Sequence, residues 1–528
     1  MSGQQVAPPA TAPVQTVSFN LWTEPWIPVL TCDGQARQLS IRDCLANAHE
    51  LYAFADPSPL VVASLQRLLA AIVQDICRPR SLSALATILM QGRFDPSDID
   101  AFGNRYAHRF DLFSPTEPFL QTADIGLELP KKKGDTKTVG YLFPEEPTAT
   151  NINHFFHRYD DDYQFSPATA ALGLITIPAF ATSGGAGIKP SINGVPPLYV
   201  LPVGDTLFET LAFSIITPDF QPQIASADDR PAWNRDPVIE RSKEVLSVGY
   251  LESLTFPARR VRLFPEQGPG RCSRSGEWSD ILVRRMVFDM GHSRPKGSAL
   301  WMDPFAAYRF RGKEEPAPIR PQEGKVLWRE YGNLFHTVVP DDSGEVQAGV
   351  VQPPAVVLQV AQLQDHGIDH PIWRFRCTGI RTDMKAKVFE WVDEALEVPA
   401  GLLSDPLGQF DVEEAVQRAE DWSKRIRAIH YGAFGDDDQF GPIRQRMEMR
   451  YWTRLADPFR EFVLAAADST RRADARRDWV TQLFKVGEQV LDEACEETGE
   501  RGERLQRRAQ ALTSYRMACG AKRKEWLA

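Results

Sequence analysis

Two short segments hold the residue types best suited to reading or gripping another molecule. The first runs Thr148-Ala149-Thr150-Asn151-Ile152-Asn153-His154-Phe155-Phe156-His157-Arg158. The amides of Asn151 and Asn153 and the imidazoles of His154 and His157 can donate and accept hydrogen bonds, and Phe155 and Phe156 offer flat faces for stacking. The second segment runs Ser183-Gly184-Gly185-Ala186-Gly187-Ile188-Lys189-Pro190-Ser191-Ile192-Asn193-Gly194. Gly184, Gly185 and Gly187 carry no side chain and Ala186 only a methyl, so backbone amides can approach a partner closely, and Lys189 adds one cation. Each segment also has a plainer reading, as a surface turn or as a site where one of two adjacent aromatics is buried. The glycines are not a nucleotide-phosphate loop of the GxxxxGK[ST] type. The spacing differs, and Pro190 follows the lysine where a Ser or Thr is needed.

Other chemistry is less well supplied. Asp160-Asp161-Asp162 and Asp436-Asp437-Asp438 are runs of carboxylates, and three consecutive residues do not converge on one point in a regular element. A metal-dependent hydrolase or nuclease using the Asp160–Asp162 region is the alternative function. His154 and His157 lack a third ligand at a recognisable spacing, so no metal, no cofactor and no catalytic residue is expected. The seven cysteines form no CxxC pair, and a scattered odd number suits reduced thiols in a cytoplasm. Arg471, Arg472, Arg476, Arg477, Arg504, Arg507, Arg508, Lys522, Arg523 and Lys524 concentrate positive charge near the C-terminus. That pattern fits either solvated helix faces or a stripe along a phosphate backbone.

A chain of 528 residues exceeds what a single core usually serves, so two or more domains are expected. The net charge of -10 disfavours a free-standing nucleic-acid binder. Any such surface must be a local patch or be shared with basic partners. Met1–Val17 lacks a positive n-region and an apolar stretch, and reads as a disordered leader rather than a signal peptide. Leu60–Cys77 is apolar, but Gln66, Arg67, Gln74 and Asp75 interrupt it. It reads as a buried helix, with no membrane span.

The positioning elements follow from patterning. Asn20–Leu30 reads as an early strand anchored by Trp22 and Trp26. Ser40 caps a helix over Ile41–Ala48, and further helices cover Leu60–Cys77, Leu82–Gln91 and Ile99–His108. Phe110–Gln121 is an irregular aromatic segment packed on the core, and Lys131–Lys137 a polar surface loop. In a strand near Arg260, the residues Arg260, Arg262 and Phe264 share one face and Val261 and Leu263 the other. Leu282–Phe288 is a second strand. Trp373, Phe375 and Cys377 point inward on a third, with Arg374 and Arg376 outward. Beyond Val398-Pro399-Ala400-Gly401 the pattern becomes helical, with helices over Asp411–Ile429 (Asp411 as N-cap), from Ile443 onward, over Trp479–Glu497 and over Leu505–Cys519. The expected fold class is α+β. It comprises a leader (1–17), a large mixed α/β domain carrying the recognition loops (18–398) and a C-terminal four-helix bundle (399–528).

Taken in order, these segments resemble the large subunit of the type I-E CRISPR Cascade complex, the CasA family. The resemblance rests on Asn20-Leu21-Trp22 with Trp26-Ile27-Pro28-Val29, and on Phe113 with Pro118-Phe119-Leu120-Gln121-Thr122, which is similar to the family's HPF-Q-T segment. It extends through Ala149-Thr150-Asn151, the glycine loop, Gly249-Tyr250-Leu251, Trp301 with Asp303-Pro304, and the C-terminal helices, and so covers nearly the whole chain. It implies a non-catalytic subunit of a crRNA-guided surveillance complex. Such a subunit recognises the protospacer-adjacent motif of double-stranded DNA, helps start strand separation and recruits a helicase–nuclease. The implied partners are the other Cascade subunits, the crRNA 5′ end, target DNA and the helicase–nuclease.

Carried onto this chain, the resemblance implies contacts from Asn151–His157 and from Gly184–Lys189, where Ala186 replaces one family glycine. Arg284 or Arg285 falls where the family places a minor-groove lysine. Met384-Lys385-Ala386 falls where it places a glutamine-bearing wedge. No glutamine stands there, so Met384 would serve as an apolar wedge and Lys385 as a phosphate contact. Of the cysteine cluster seen in some members only Cys272 remains, and no zinc is implied.

Overall fold

The structure is a computed structural model that describes residues 17–130, 133–146, 163–183, 188–222, 228–298, 300–311, 315–336, 350–382, 388–499 and 501–527. Its strands are Ile27–Thr31 (β1), Ala36–Leu39 (β2), Leu51–Phe54 (β3), Lys137–Thr138 (β4), Tyr199–Val203 (β5), Arg259–Arg271 (β6), Trp278–Met290 (β7), Tyr308–Arg309 (β8), Ala317–Pro318 (β9), Val351–Gln352 (β10), Ile372–Thr382 (β11) and Val388–Pro399 (β12). Among the described residues they form four three-stranded sheets, ordered β2-β1-β3, β4-β7-β6, β10-β8-β9 and β12-β11-β5. All the strand pairs are antiparallel, which short hairpin turns permit. Two long hairpins dominate, β6–β7 and β11–β12.

The early strand begins later than its sequence pattern suggests. Asn20 starts a turn instead, because its backbone carbonyl accepts the amides of Thr23 and Glu24 and its side chain accepts that of Trp22. Ser40 caps Ile41–Ala46 (α1) by accepting the Asp43 amide. The core helix is Pro59–Cys77 (α2), followed by Leu82–Gln91 (α3) and Pro96–Tyr106 (α4).

By length and composition α2 could cross a membrane, but it is buried inside the protein. Its polar interruptions are all matched there. Gln66 donates to the Pro202 carbonyl, Gln74 accepts the Ile216 amide, Asp75 accepts the Trp233 indole and Arg67 pairs with Asp303. Burying a polar group is tolerable only when it finds such partners. Phe110, Leu112, Phe113 and Phe119 are buried in an irregular run, as expected. Gln121 clamps that run to β6 by donating to the Leu112 carbonyl and accepting the Leu263 amide.

On β11, Trp373, Phe375 and Cys377 are buried, while Arg374 and Arg376 reach outward to Asp205 and Asp393. On β6, Arg262 is fully buried with both Nη atoms on the Ser114 carbonyl, so its face is a packed one.

From Ala400 the described elements are all helical: Ala400–Leu403, Pro406–Phe434, Gly441–Arg454, Ala456–Ala466, Arg472–Glu497 and Glu503–Trp526. Asp411 is not a cap. Asp405 caps instead, with Pro406 opening the helix, and Asp411 is buried inside it against Arg476. The helix expected from Ile443 onward ends at Arg454, and a separate one begins after Leu455. Trp422 donates to the Tyr515 hydroxyl at 2.8 Å, and Tyr515 donates to the Phe484 carbonyl at 2.8 Å, tying three of these helices together. Trp328, from the preceding part of the chain, stacks on Phe459 with centroids 4.6 Å apart.

Candidate nucleic-acid interface

The hairpin β6–β7 carries the flanks of both loops. Residue 163 is the first one described after the amide–aromatic loop. Tyr163 donates to Glu146 at 3.2 Å, which draws the two flanks of that loop together. Gln164 exchanges hydrogen bonds with Ser273 in the hairpin turn: its amide donates to the hydroxyl at 2.9 Å and its carbonyl accepts the Ser273 amide at 2.8 Å. The Gln164 side chain donates to the Arg271 carbonyl and accepts from Arg284. Phe165 then pairs through both backbone groups with Val283.

The second loop leaves from the opposite, open end of the same hairpin. Its neck is closed by the Ser191 amide on the Ala181 carbonyl at 3.1 Å. The Lys189 amide points at the Met290 sulfur at 3.2 Å, and Lys189 Nζ pairs with Glu244 at 2.7 Å. That ion pair is about half exposed on each side (47% and 49%), so solvent and salt screen it. Buried Arg259, the first residue of β6, donates to the carbonyls of Thr182 and Lys189. Burial lowers its guanidinium pKa to about 10. Asn193, at the far end of this segment, donates to Asp303.

Arg284 and Arg285 both lie on β7 and point to different partners, as strand neighbours do. Arg284 pairs with Glu266 and reaches Gln164, whereas Arg285 donates to Thr136 beside β4. Arg284 therefore lies on the hairpin, Lys189 sits against its open end, and the flanks of both loops are fastened to it.

The remaining residues named from sequence lie outside the described residues. They are Asn151, Asn153, His154, Phe155, Phe156 and His157, then Gly184, Gly185, Ala186 and Gly187, and Met384, Lys385 and Ala386, together with Asp160–Asp162. The stem below Met384–Ala386 is β11–β12, where Arg381 pairs with Glu390 and covers the half-exposed ring of Phe389. Trp391 is half exposed beside it.

Arg472, Arg476, Arg477, Arg507 and Arg508 are each paired with a carboxylate of this chain. Among the described residues no three His, Cys, Asp or Glu side chains are grouped to hold a metal ion. Cys272 is buried, with its sulfur 3.2 Å from the Thr169 hydroxyl. Residue types alone miss Arg259, Glu244 and Gln164. A basic pair opening a strand was visible at Arg259-Arg260, but its target was not.

This fold is shared with a known class of CRISPR-associated protein. The pattern of the family described as CRISPR-associated protein Cse1 matches residues 20–490. The CasA/Cse1 protein of Thermus thermophilus is 32% identical over 426 residues, which are 78% of this chain and 77% of that protein. The crystal structure of Cse1 from Acidimicrobium ferrooxidans superposes with a TM-score of 0.78 at 24% identity, covering 97% of this chain and 99% of that one. A chain from a structure titled CRISPR RNA-guided surveillance complex superposes with a TM-score of 0.71 at 21% identity, covering 95% and 99%. The chain belongs to the CasA/Cse1 family.

Proposed function

We propose that this chain is the large subunit of a type I-E Cascade surveillance complex and acts as a duplex-reading subunit without catalytic activity. It reads the protospacer-adjacent motif with the glycine loop, Lys189 and Arg284 or Arg285, and the amide–aromatic loop meets the crRNA 5′ end or the motif. The Met384–Ala386 tip starts strand separation. The region 18–398 serves as the recognition domain, and 399–528 as a helical bundle that docks neighbouring subunits. The assembled complex then recruits a helicase–nuclease in the cytoplasm.

One observation carries this reading: the flanks of both loops are fastened to opposite ends of the hairpin β6–β7, which also bears Arg284. A rigid strand pair can hold two loops in a fixed relation, as recognition of a short duplex motif requires. The net charge of -10 fits a subunit whose phosphate field comes from basic partners.

The test is reconstitution with the other subunits and a guide RNA. The complex should bind a target duplex bearing the motif and bind poorly to one with the motif scrambled, and omitting this chain should abolish the difference. Motif discrimination that persists without this chain would refute the reading, and so would chelator-sensitive cleavage of nucleic acid by the isolated chain.

A further inference from the structure

We infer that Arg259 is the positioning residue for Lys189 and that Glu244 holds the lysine's ammonium in reserve until a phosphate replaces it. The inference rests on the proposed duplex-reading role and names the two groups that set its cation in place. Arg259 is buried at the start of β6, and its two Nη atoms reach carbonyls on both sides of the glycine segment, Thr182 on one and Lys189 on the other. A guanidinium is a planar fork with a fixed spacing between its donors, so it locks two carbonyls relative to each other. A buried cation whose hydrogen bonds go to carbonyls is an expensive way to fasten a plain turn. The Lys189 amide sits against Met290 at the end of the partner strand, so the lysine backbone is fixed by both strands of the hairpin.

Its side chain is treated differently. The Nζ–Glu244 pair at 2.7 Å lies at the surface, with both side chains about half exposed. Such a pair is weak enough to be exchanged. A DNA phosphate oxygen offers the ammonium the same kind of charge-assisted bond. The backbone is therefore rigid, and the charge is exchangeable.

The test uses the assembled guide-RNA complex with Lys189→Ala, Arg259→Gln, Glu244→Gln and the double variant Lys189→Ala/Arg259→Gln, reading the dissociation constant for a motif-bearing duplex. Arg259→Gln should weaken binding by roughly tenfold, and the double variant should be no weaker than the worse single one, because residues that act through each other do not add. Glu244→Gln should tighten binding by a few-fold at low salt, the gain fading as salt screens the surface pair. Wild-type binding by Arg259→Gln, or losses that multiply in the double variant, would overturn the positioning role while leaving the wider reading intact, provided Lys189→Ala still binds weakly. Unchanged or weakened binding by Glu244→Gln would overturn the reserve role. If Lys189→Ala itself binds normally, the duplex-reading assignment of this loop fails. Should Arg259→Gln not fold, Arg259→Lys carries the same comparison, since an ammonium keeps the charge and loses the fork.

Discussion

Arg67 and Asp303 form a buried two-pronged ion pair, with Nη2 to Oδ2 at 2.6 Å and Nη1 to Oδ1 at 3.2 Å. Their side chains are 5% and 1% exposed. The pair joins the core helix α2 to a segment 236 residues further along the chain. Asp303 also accepts from Asn193 of the glycine segment and from the Phe305 amide, and Arg67 lies over the Tyr199 ring at 4.4 Å. The segment at Asn193 is thus moored to the centre of the protein.

Removing one partner of such a pair leaves an uncompensated buried charge, at a cost of about 3–5 kcal/mol. Asp303→Ala is therefore expected to lower the unfolding free energy by that amount, measured by denaturant titration. A variant within about 0.5 kcal/mol of wild type would show that the pair is dispensable.

Gly103 lies beneath Trp22, so that a Cβ built there would sit 2.6 Å from the indole nitrogen. Gly103→Ala should overpack this contact and destabilise the protein by about 1–3 kcal/mol, despite the better helix propensity of alanine. Thermal unfolding checks this, and an unchanged or raised midpoint would mean that the indole moves aside at no cost.

Lys189→Ala and Arg284→Ala should each weaken target binding by the assembled complex. Each lost phosphate contact should also reduce the salt slope of log affinity by about 1. Guide RNA assembly should be unaffected. Equal slopes for wild type and both variants would remove these residues from the phosphate-contacting set.

Acid should loosen the C-terminal helices. His430 is fully buried, and the Ala494 backbone beside it only partly offsets the cost of charging it. Burial, reinforced by the Arg444 guanidinium, lowers its pKa from 6.5 to about 4. The unfolded chain therefore binds a proton that the folded one refuses. Stability should be insensitive to this group above pH 6.5, fall as pH drops from there, and level off near pH 4. His430→Phe should flatten that part of the stability–pH profile. An identical profile for both proteins would assign the acid sensitivity elsewhere. His292 and His336, both lowered to about 4, act in the same direction.

Among the described residues, four that carry the family resemblance prove to be internal fastenings. Trp22 packs on Gly103, Gln121 clips the aromatic run to β6, Tyr250 is buried and Asp303 holds Arg67. They are legible in sequence because a packed tryptophan or a buried carboxylate can be satisfied by few residue types. The helices α2 and α3 were legible to within a residue because their apolar periodicity is local. Asp411 misled because an acidic residue ahead of an apolar stripe looks like a cap, and Asp405-Pro406 further upstream takes that role.

By itself the sequence determined the mixed helix-and-sheet class, the family, and the two loops whose residue types suit contact with a duplex. Only the tertiary structure decided what supports those loops. Arg259 meets Thr182 and Lys189, Gln164 meets Ser273, and Glu244 meets Lys189 across tens of residues of intervening chain. Hydrogen bonds between such distant residues have no period or spacing in the sequence. They exist because the folded chain lays the segments around residues 164, 182, 189 and 244 against the hairpin β6–β7 and its immediate flanks, which brings the partners within about 3 Å.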